Sequence, residues 1–183
     1  MTRTHTSIAT TIFLAGALSL AGAAAFAASG GGSSSSGATT PSCNTGYVWN
    51  AKTGKCEKKT SSNIDDKSLY TQGRDLALAG RYQEALDSLQ AVKNQDSMVL
   101  TMIGYSLRHM GNYDQGVAYY AKALAIDPNN VNTHEYLGEA YAEKGKLDLA
   151  KIELVKVEAV CGNTACEQYQ DLAKAIAGAP VQG

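Results

Sequence analysis

Gly104-Tyr105-Ser106-Leu107-Arg108-His109-Met110-Gly111-Asn112-Tyr113 decides the reading of this chain. A glycine, six residues, a second glycine, one residue and then an apolar one recur on both sides of it. The earlier copy is Gly73, Gly80, Tyr82, and the later one is Gly138, Gly145, Leu147. The first glycine of each copy stands inside a helical periodicity, where it costs about 1 kcal/mol relative to alanine. That cost makes sense if a neighbouring helix passes too close for a side chain. The second glycine falls where the periodicity ends, the position at which glycine adopts a left-handed C-cap. Asp127-Pro128-Asn129-Asn130 stops one helix and opens the next. Each copy therefore reads as a helix pair that buries one face only on its neighbours.

These residues resemble the tetratricopeptide repeat, a 34-residue pair of antiparallel helices. The middle copy meets the family pattern at Leu100, Ile103, Gly104, Leu107, Gly111, Tyr113, Tyr120, Ala123 and Pro128. The third meets it at Leu137, Gly138, Tyr141, Gly145, Ala150 and Leu154, with His134 where the family prefers an aromatic. The first meets it at Leu69, Gly73, Leu76, Gly80, Tyr82, Ala85 and Leu89. The likeness runs from Asp66 to about Val160. It departs from the family where the first repeat is shortened through Gln90 to Asp96, and where the third runs into Cys161 without the terminal proline. Gly116 replaces the usual alanine and is expected to loosen its helix by up to ~1 kcal/mol. The resemblance implies an all-α fold, a right-handed solenoid of three helix pairs. A last helix from about Ala165 to Ala177, with Tyr169, Leu172, Ala173 and Ile176 on one face, is expected to cap its open end. Repeats and cap together make a domain over 66–178, followed by a tail at 179–183.

In that family the first helix of each repeat lines a concave groove. The resemblance carries the groove onto Lys67, Tyr70, Arg74, Ala77 and Leu78 in the first repeat. It continues through Met98, Thr101, Tyr105, Arg108 and His109 in the second, and Asn132, Glu135, Glu139, Ala142 and Glu143 in the third. Such a groove is basic and aromatic at one end and acidic at the other. It implies a protein or peptide partner, with Tyr and Arg as binding anchors. The Lys and Asn set with which some relatives clamp a chaperone's C-terminal carboxylate is missing.

The N-terminal part reads differently. Arg3, an apolar stretch from Ile12 to Ala25 and the small-residue match Ala25-Phe26-Ala27 fit a cleaved export signal over 1–27, with Ala28 first in the mature chain. A retained anchor is the alternative, but it needs about 20 strongly apolar residues, and this stretch is diluted by Gly, Ser and Ala. A Gly/Ser-rich tether follows over 28–42. Then comes a small segment, 43–56, that offers Tyr47, Val48 and Trp49 as strand residues and Asn50 to Gly54 as a turn, with a linker at 57–65. In an exported protein the cysteines Cys43, Cys56, Cys161 and Cys166 are expected to form disulfides. Of the three pairings available, 43–56 and 161–166 keep each bond within its own local segment. The 43–56 segment also resembles one half of small secreted chitin-binding modules. A cell-envelope carbohydrate binder with Trp49 stacked on a sugar is thus an alternative to the peptide groove; otherwise Trp49 covers the disulfide.

Composition narrows the function further. Net charge is −1, which supplies no field for nucleic acid or acidic lipid, so membrane contact is expected only through the signal. Three histidines, His5, His109 and His134, sit at no ligand spacing, and Cys161 and Cys166 lack the further ligands that a metal site needs. No phosphate loop, nucleophile elbow or zinc helix motif occurs. Neither cofactor, metal nor catalysis is expected, and His109 and His134 read as groove and packing residues.

Overall fold

The structure is a computed structural model that describes residues 41, 43–50, 52–59 and 64–178, all within the unit Ala38–Gly183. The expected export signal, nearly all of the Gly/Ser tether, Thr60 to Asn63 of the linker and the tail lie outside the described residues. The described elements are a hairpin of β1 (Tyr47–Asn50) and β2 (Lys55–Lys58), then seven helices. These are α1 (Asp66–Leu78), α2 (Tyr82–Leu89), α3 (Ser97–His109), α4 (Tyr113–Ile126), α5 (Val131–Glu143), α6 (Leu147–Cys161) and α7 (Glu167–Ala177). The helices pair as α1 with α2, α3 with α4 and α5 with α6, and α7 packs on α5 and α6.

The same local chemistry sets the boundaries three times. Asp65, Asp96 and Asn130 cap α1, α3 and α5, each accepting a bond from a backbone N–H three residues on, at Ser68, Val99 and Thr133. At the other end Gly80, Gly111 and Gly145 take φ of 77°, 87° and 67°. There the N–H groups of Arg81, Asn112 and Lys146 reach back to the carbonyls of Leu76, Leu107 and Tyr141 at 2.9 Å, closing each first helix as a glycine-dependent turn. The second helices start directly from these turns, with no side-chain cap.

The inner glycines are contact points between helices. A Cβ on Gly73 would stand 2.5 Å from Leu89, and one on Gly104 would stand 2.8 Å from Tyr120. In each case a wholly buried side chain of the second helix lies over bare backbone of the first. The third socket is filled otherwise. Gly138 receives Leu172 of α7, which a Cβ would approach to 2.6 Å, so the capping helix completes the last repeat. Gly116, expected to loosen its helix, is also a contact point. Its Cβ would lie 2.9 Å from the Gly104 carbonyl oxygen and 3.1 Å from the Arg108 N, so α3 and α4 touch backbone to backbone there. Bare backbone on both helices allows that approach.

The hairpin belongs to the same core. Val48 is fully buried and clusters with Ile64, Leu69, Leu89 and Ile103. Trp49 pairs across the strands with Cys56 and is half-buried. The Gln72 side-chain amide binds the edge of β1, accepting from Trp49 N at 3.0 Å and donating to Tyr47 O at 2.8 Å. One amide thus stands in for a neighbouring strand and satisfies two backbone groups. The strand β2 extends to Lys58, beyond the second cysteine. Both disulfides form as the local pairing requires, Cys43 with Cys56 and Cys161 with Cys166.

The Gly116 contact yields a test of sign. Helix propensity alone makes Gly116→Ala stabilising by about 1 kcal/mol. Overpacking a backbone contact costs about 1–3 kcal/mol, so net destabilisation is expected. Urea unfolding followed by circular dichroism measures the difference.

Candidate functional site

The first helices α1, α3 and α5, together with α7, surround a cleft of about 920 Å³. Of the groove residues expected from sequence, it is lined by Arg74, Leu78, Tyr105, Arg108, His109, Asn132, Glu135, Glu139, Ala142 and Glu143. Tyr70, Met98 and Thr101 border a smaller depression beside it, which shares Arg74 and Asn132. Lys67 is exposed and lines neither, and Ala77 is fully buried in the core. Sequence reasoning did not single out Tyr136, nor the contribution of α7 through Glu167, Gln168, Asp171 and Lys174. Their signal was present: Glu167, Asp171 and Lys174 recur at helical spacing on a helix read only as a cap.

The walls are aromatic where α2, α3 and α5 meet. Tyr82 stacks on His109 with centroids 5.1 Å apart, His109 lies 4.3 Å from Tyr105, and Tyr105 lies 4.9 Å from Tyr136. These rings run across three successive repeats. Burial raises the Tyr105 phenol's pKa and lowers that of His109, where Arg108 adds to the effect. Both side chains are thereby held neutral.

Polar contacts join the second repeat to the third. Thr101 is buried and shares a 2.6 Å hydrogen bond with Thr133. Asn130 donates to Ser97 at 2.8 Å. Arg108, its side chain only 2% exposed, donates to Glu139 at 2.8 Å and to Glu143 at 2.7 Å. This revises the expected separation of a basic end from an acidic one. The arginine of α3 is held within the fold by two carboxylates of α5, so the residue read as a partner anchor also braces two repeats. Deeper in the third repeat, His134 meets Glu153 at 2.6 Å and donates from Nε2 to the Pro128 carbonyl at 2.9 Å. The Glu153 bond raises the imidazole's pKa; burial opposes charge on Glu153, but His134 and Lys156 hold its carboxyl below the usual range.

Glu135 is different. It is 6% exposed and faces the cleft between the rings and α7. Burial, and then the charges of Glu139, Asp171 and Glu167, push its pKa up to about 8, with Arg108 opposing only weakly. Five carboxylates line the cleft against the cations Arg74, Arg108 and Lys174, and Arg108 is already paired. Among the described residues no group of three or more His, Cys, Asp or Glu side chains is arranged to hold a metal ion.

Known proteins share both the repeat and its fold. Residues 104–145 match the family described as TPR repeat. The type III secretion translocator chaperone SycD of Yersinia enterocolitica has a similar structure, with a TM-score of 0.55 and 20% identity over 61% of this chain and 89% of that one. PcrH, solved with the chaperone binding region of PopB, gives a TM-score of 0.50 and 23% identity over 61% of this chain and 92% of its own. SPINDLY of Eustoma exaltatum subsp. russellianum, by name a probable UDP-N-acetylglucosamine–peptide N-acetylglucosaminyltransferase, is 38% identical over 65 residues. That alignment covers 36% of this chain, which spans 7% of the length of that relative. The helices over 66–161 are a tetratricopeptide-repeat solenoid.

Two outcomes follow from the charges. Arg108→Ala leaves Glu139 partly buried without its cation, and should lower stability by about 2–3 kcal/mol. Glu143→Gln, at a half-exposed partner, should cost under about 1 kcal/mol; thermal melts of both variants measure the contrast. Glu135 supplies the second. Its folded pKa of about 8 exceeds the 4.5 of an ordinary glutamate, so the folded state holds the proton more tightly than the unfolded chain. Stability should then fall as pH rises from 4.5 to about 8. Glu135→Gln should remove that decline, as denaturation midpoints of the two proteins across the window will register.

Proposed function

We propose that the protein is an exported adaptor or assembly factor that holds an extended segment of another polypeptide in this cleft, with a Lys or Arg of that segment seated on Glu135. The observation that carries the reading is the buried Glu135 carboxyl between the Tyr105 and Tyr136 rings and the acidic face of α7. Its raised pKa is the energetic mark of a carboxylate without enough positive charge around it. A guanidinium or ammonium brought by a ligand would supply that charge, and the rings would cover its aliphatic stem. Arg74 at the first repeat lines the same cleft, half exposed beside Asp75, within reach of an acidic residue of the same segment. PcrH, of similar fold, binds a segment of PopB, and that precedent supports a polypeptide ligand. Export rests on the leader pattern at 1–27 and on cysteines that pair throughout the described chain.

Peptide arrays in which Lys or Arg is scanned through an otherwise neutral sequence test the reading. Binding should favour peptides with a cation, and Glu135→Gln or Tyr105→Ala should weaken the best binder by about 1–3 kcal/mol. Because seating the cation requires Glu135 to ionise, affinity should rise as pH increases toward about 8, with proton release seen by calorimetry in buffers of different ionisation enthalpy. Equal binding of cationic and neutral peptides, unchanged by Glu135→Gln, would overturn the proposal.

A further inference from the structure

The helix α6 is buried on one side and carries apolar residues on the other. Its inner side, Ala150, Glu153 and Val157, is buried within the repeat. The outer side carries Leu149, Ile152 and Val155, exposed by 42%, 51% and 65%. At about 100° per residue, these three share one face with the exposed Asp148 and Lys156. A run of Leu, Ile and Val turned to water on a single helix is the kind of patch that marks an interface.

We infer that this outer face is a self-association surface, on which a second copy of the chain packs its own α6 antiparallel across a two-fold axis at Ile152. The order of residues along the face selects that occupant. Reversing the helix about Ile152 sets Leu149 against Val155 of the second copy, and Asp148 against its Lys156. Each of these five residues thus finds a complement in the same face turned round, which is the requirement of an isologous contact. A parallel arrangement would instead set Asp148 against Asp148 and Lys156 against Lys156, so the charges also choose the direction. Lys156 bonds Glu153 at 2.8 Å within its own chain while its side chain stays 47% exposed, leaving it able to reach a second carboxylate. Asp148 is exposed in the first turn of the helix. The contact lies on a different helix from the cleft, so two clefts would be carried by one dimer.

Sedimentation equilibrium of the disulfide-intact full chain, from micromolar to millimolar concentration, tests this. A reversible monomer–dimer equilibrium is expected for the wild type, and monomer throughout for Ile152→Glu. Each of Asp148→Lys and Lys156→Asp should weaken the homodimer about tenfold at low salt by setting like charges together. The double variant D148K/K156D should restore it. Mixing the two single variants should give a heterodimer in preference to either homodimer. Thermal melts accompany Lys156→Asp, since it also removes the bond to Glu153. A wild type that stays monomeric, an Ile152→Glu protein that dimerises as tightly as wild type, or a mixture without heterodimer would overturn the inference.

Discussion

Close approach of backbones at the inner glycines is the constraint on which this molecule depends. The nearness of Gly104 to Gly116 brings α3 against α4 with no side chain between them. Arg108, one turn on from Gly104, shares that contact through its Cβ and N against Gly116, and Tyr105 and His109 line the cleft beside it. The same device recurs at Gly73 under Leu89 and at Gly138 under Leu172. Its energetic logic is a trade. Glycine weakens each helix slightly, and the dispersion attraction of a fully buried Leu or Tyr lying on bare backbone outweighs that loss. Because three sockets repeat along the chain, the orientation of each first helix is inherited from the previous one, and the ring ladder from Tyr82 to Tyr136 follows.

Much of this was legible in the sequence because glycine reports backbone geometry without needing its neighbours to be known. Gly80, Gly111 and Gly145 had to be left-handed turns, and Gly73, Gly104 and Gly138 had to be contacts. What stayed illegible depended on pairs distant in sequence. Gly116 looked like a defect within its own helix, whereas its partner is the Gly104 carbonyl of another. Gln72 looked like an ordinary helix-surface residue, and nothing local shows that its amide meets the edge of β1. The groove positions followed from the resemblance, but not their charge states. Arg108 and Glu139 lie 31 residues apart, and only folding reveals that one neutralises the other.

The electrostatics of the cleft then follow from how that arginine is used. With Arg108 joined to Glu139 and Glu143, the third repeat keeps Glu135 as a carboxyl caught between burial and its acidic neighbours. The capping helix intensifies this by adding Glu167 and Asp171 to the same space. A helix whose first task is to cover Gly138 with Leu172 therefore also sets the chemistry of the site. Covering and charging are done by different residues of α7, and so the two properties can change independently.

The two disulfides bracket the described chain, one in the hairpin before α1 and the other between α6 and α7. A stack of repeats loses structure from its free ends inward, because a terminal unit has only one neighbour to hold it. Each bridge restrains such an end: one closes the strand pair that Gln72 holds against α1, the other limits how far α7 can swing from α6. Fraying is thereby opposed where it would begin, and the middle repeat needs no covalent help. Two short covalent loops therefore stand where the stack has fewest neighbours. Opening the bridge at 161–166 would remove the covalent limit on α7 and leave Leu172 in the Gly138 socket to hold that helix over the cleft.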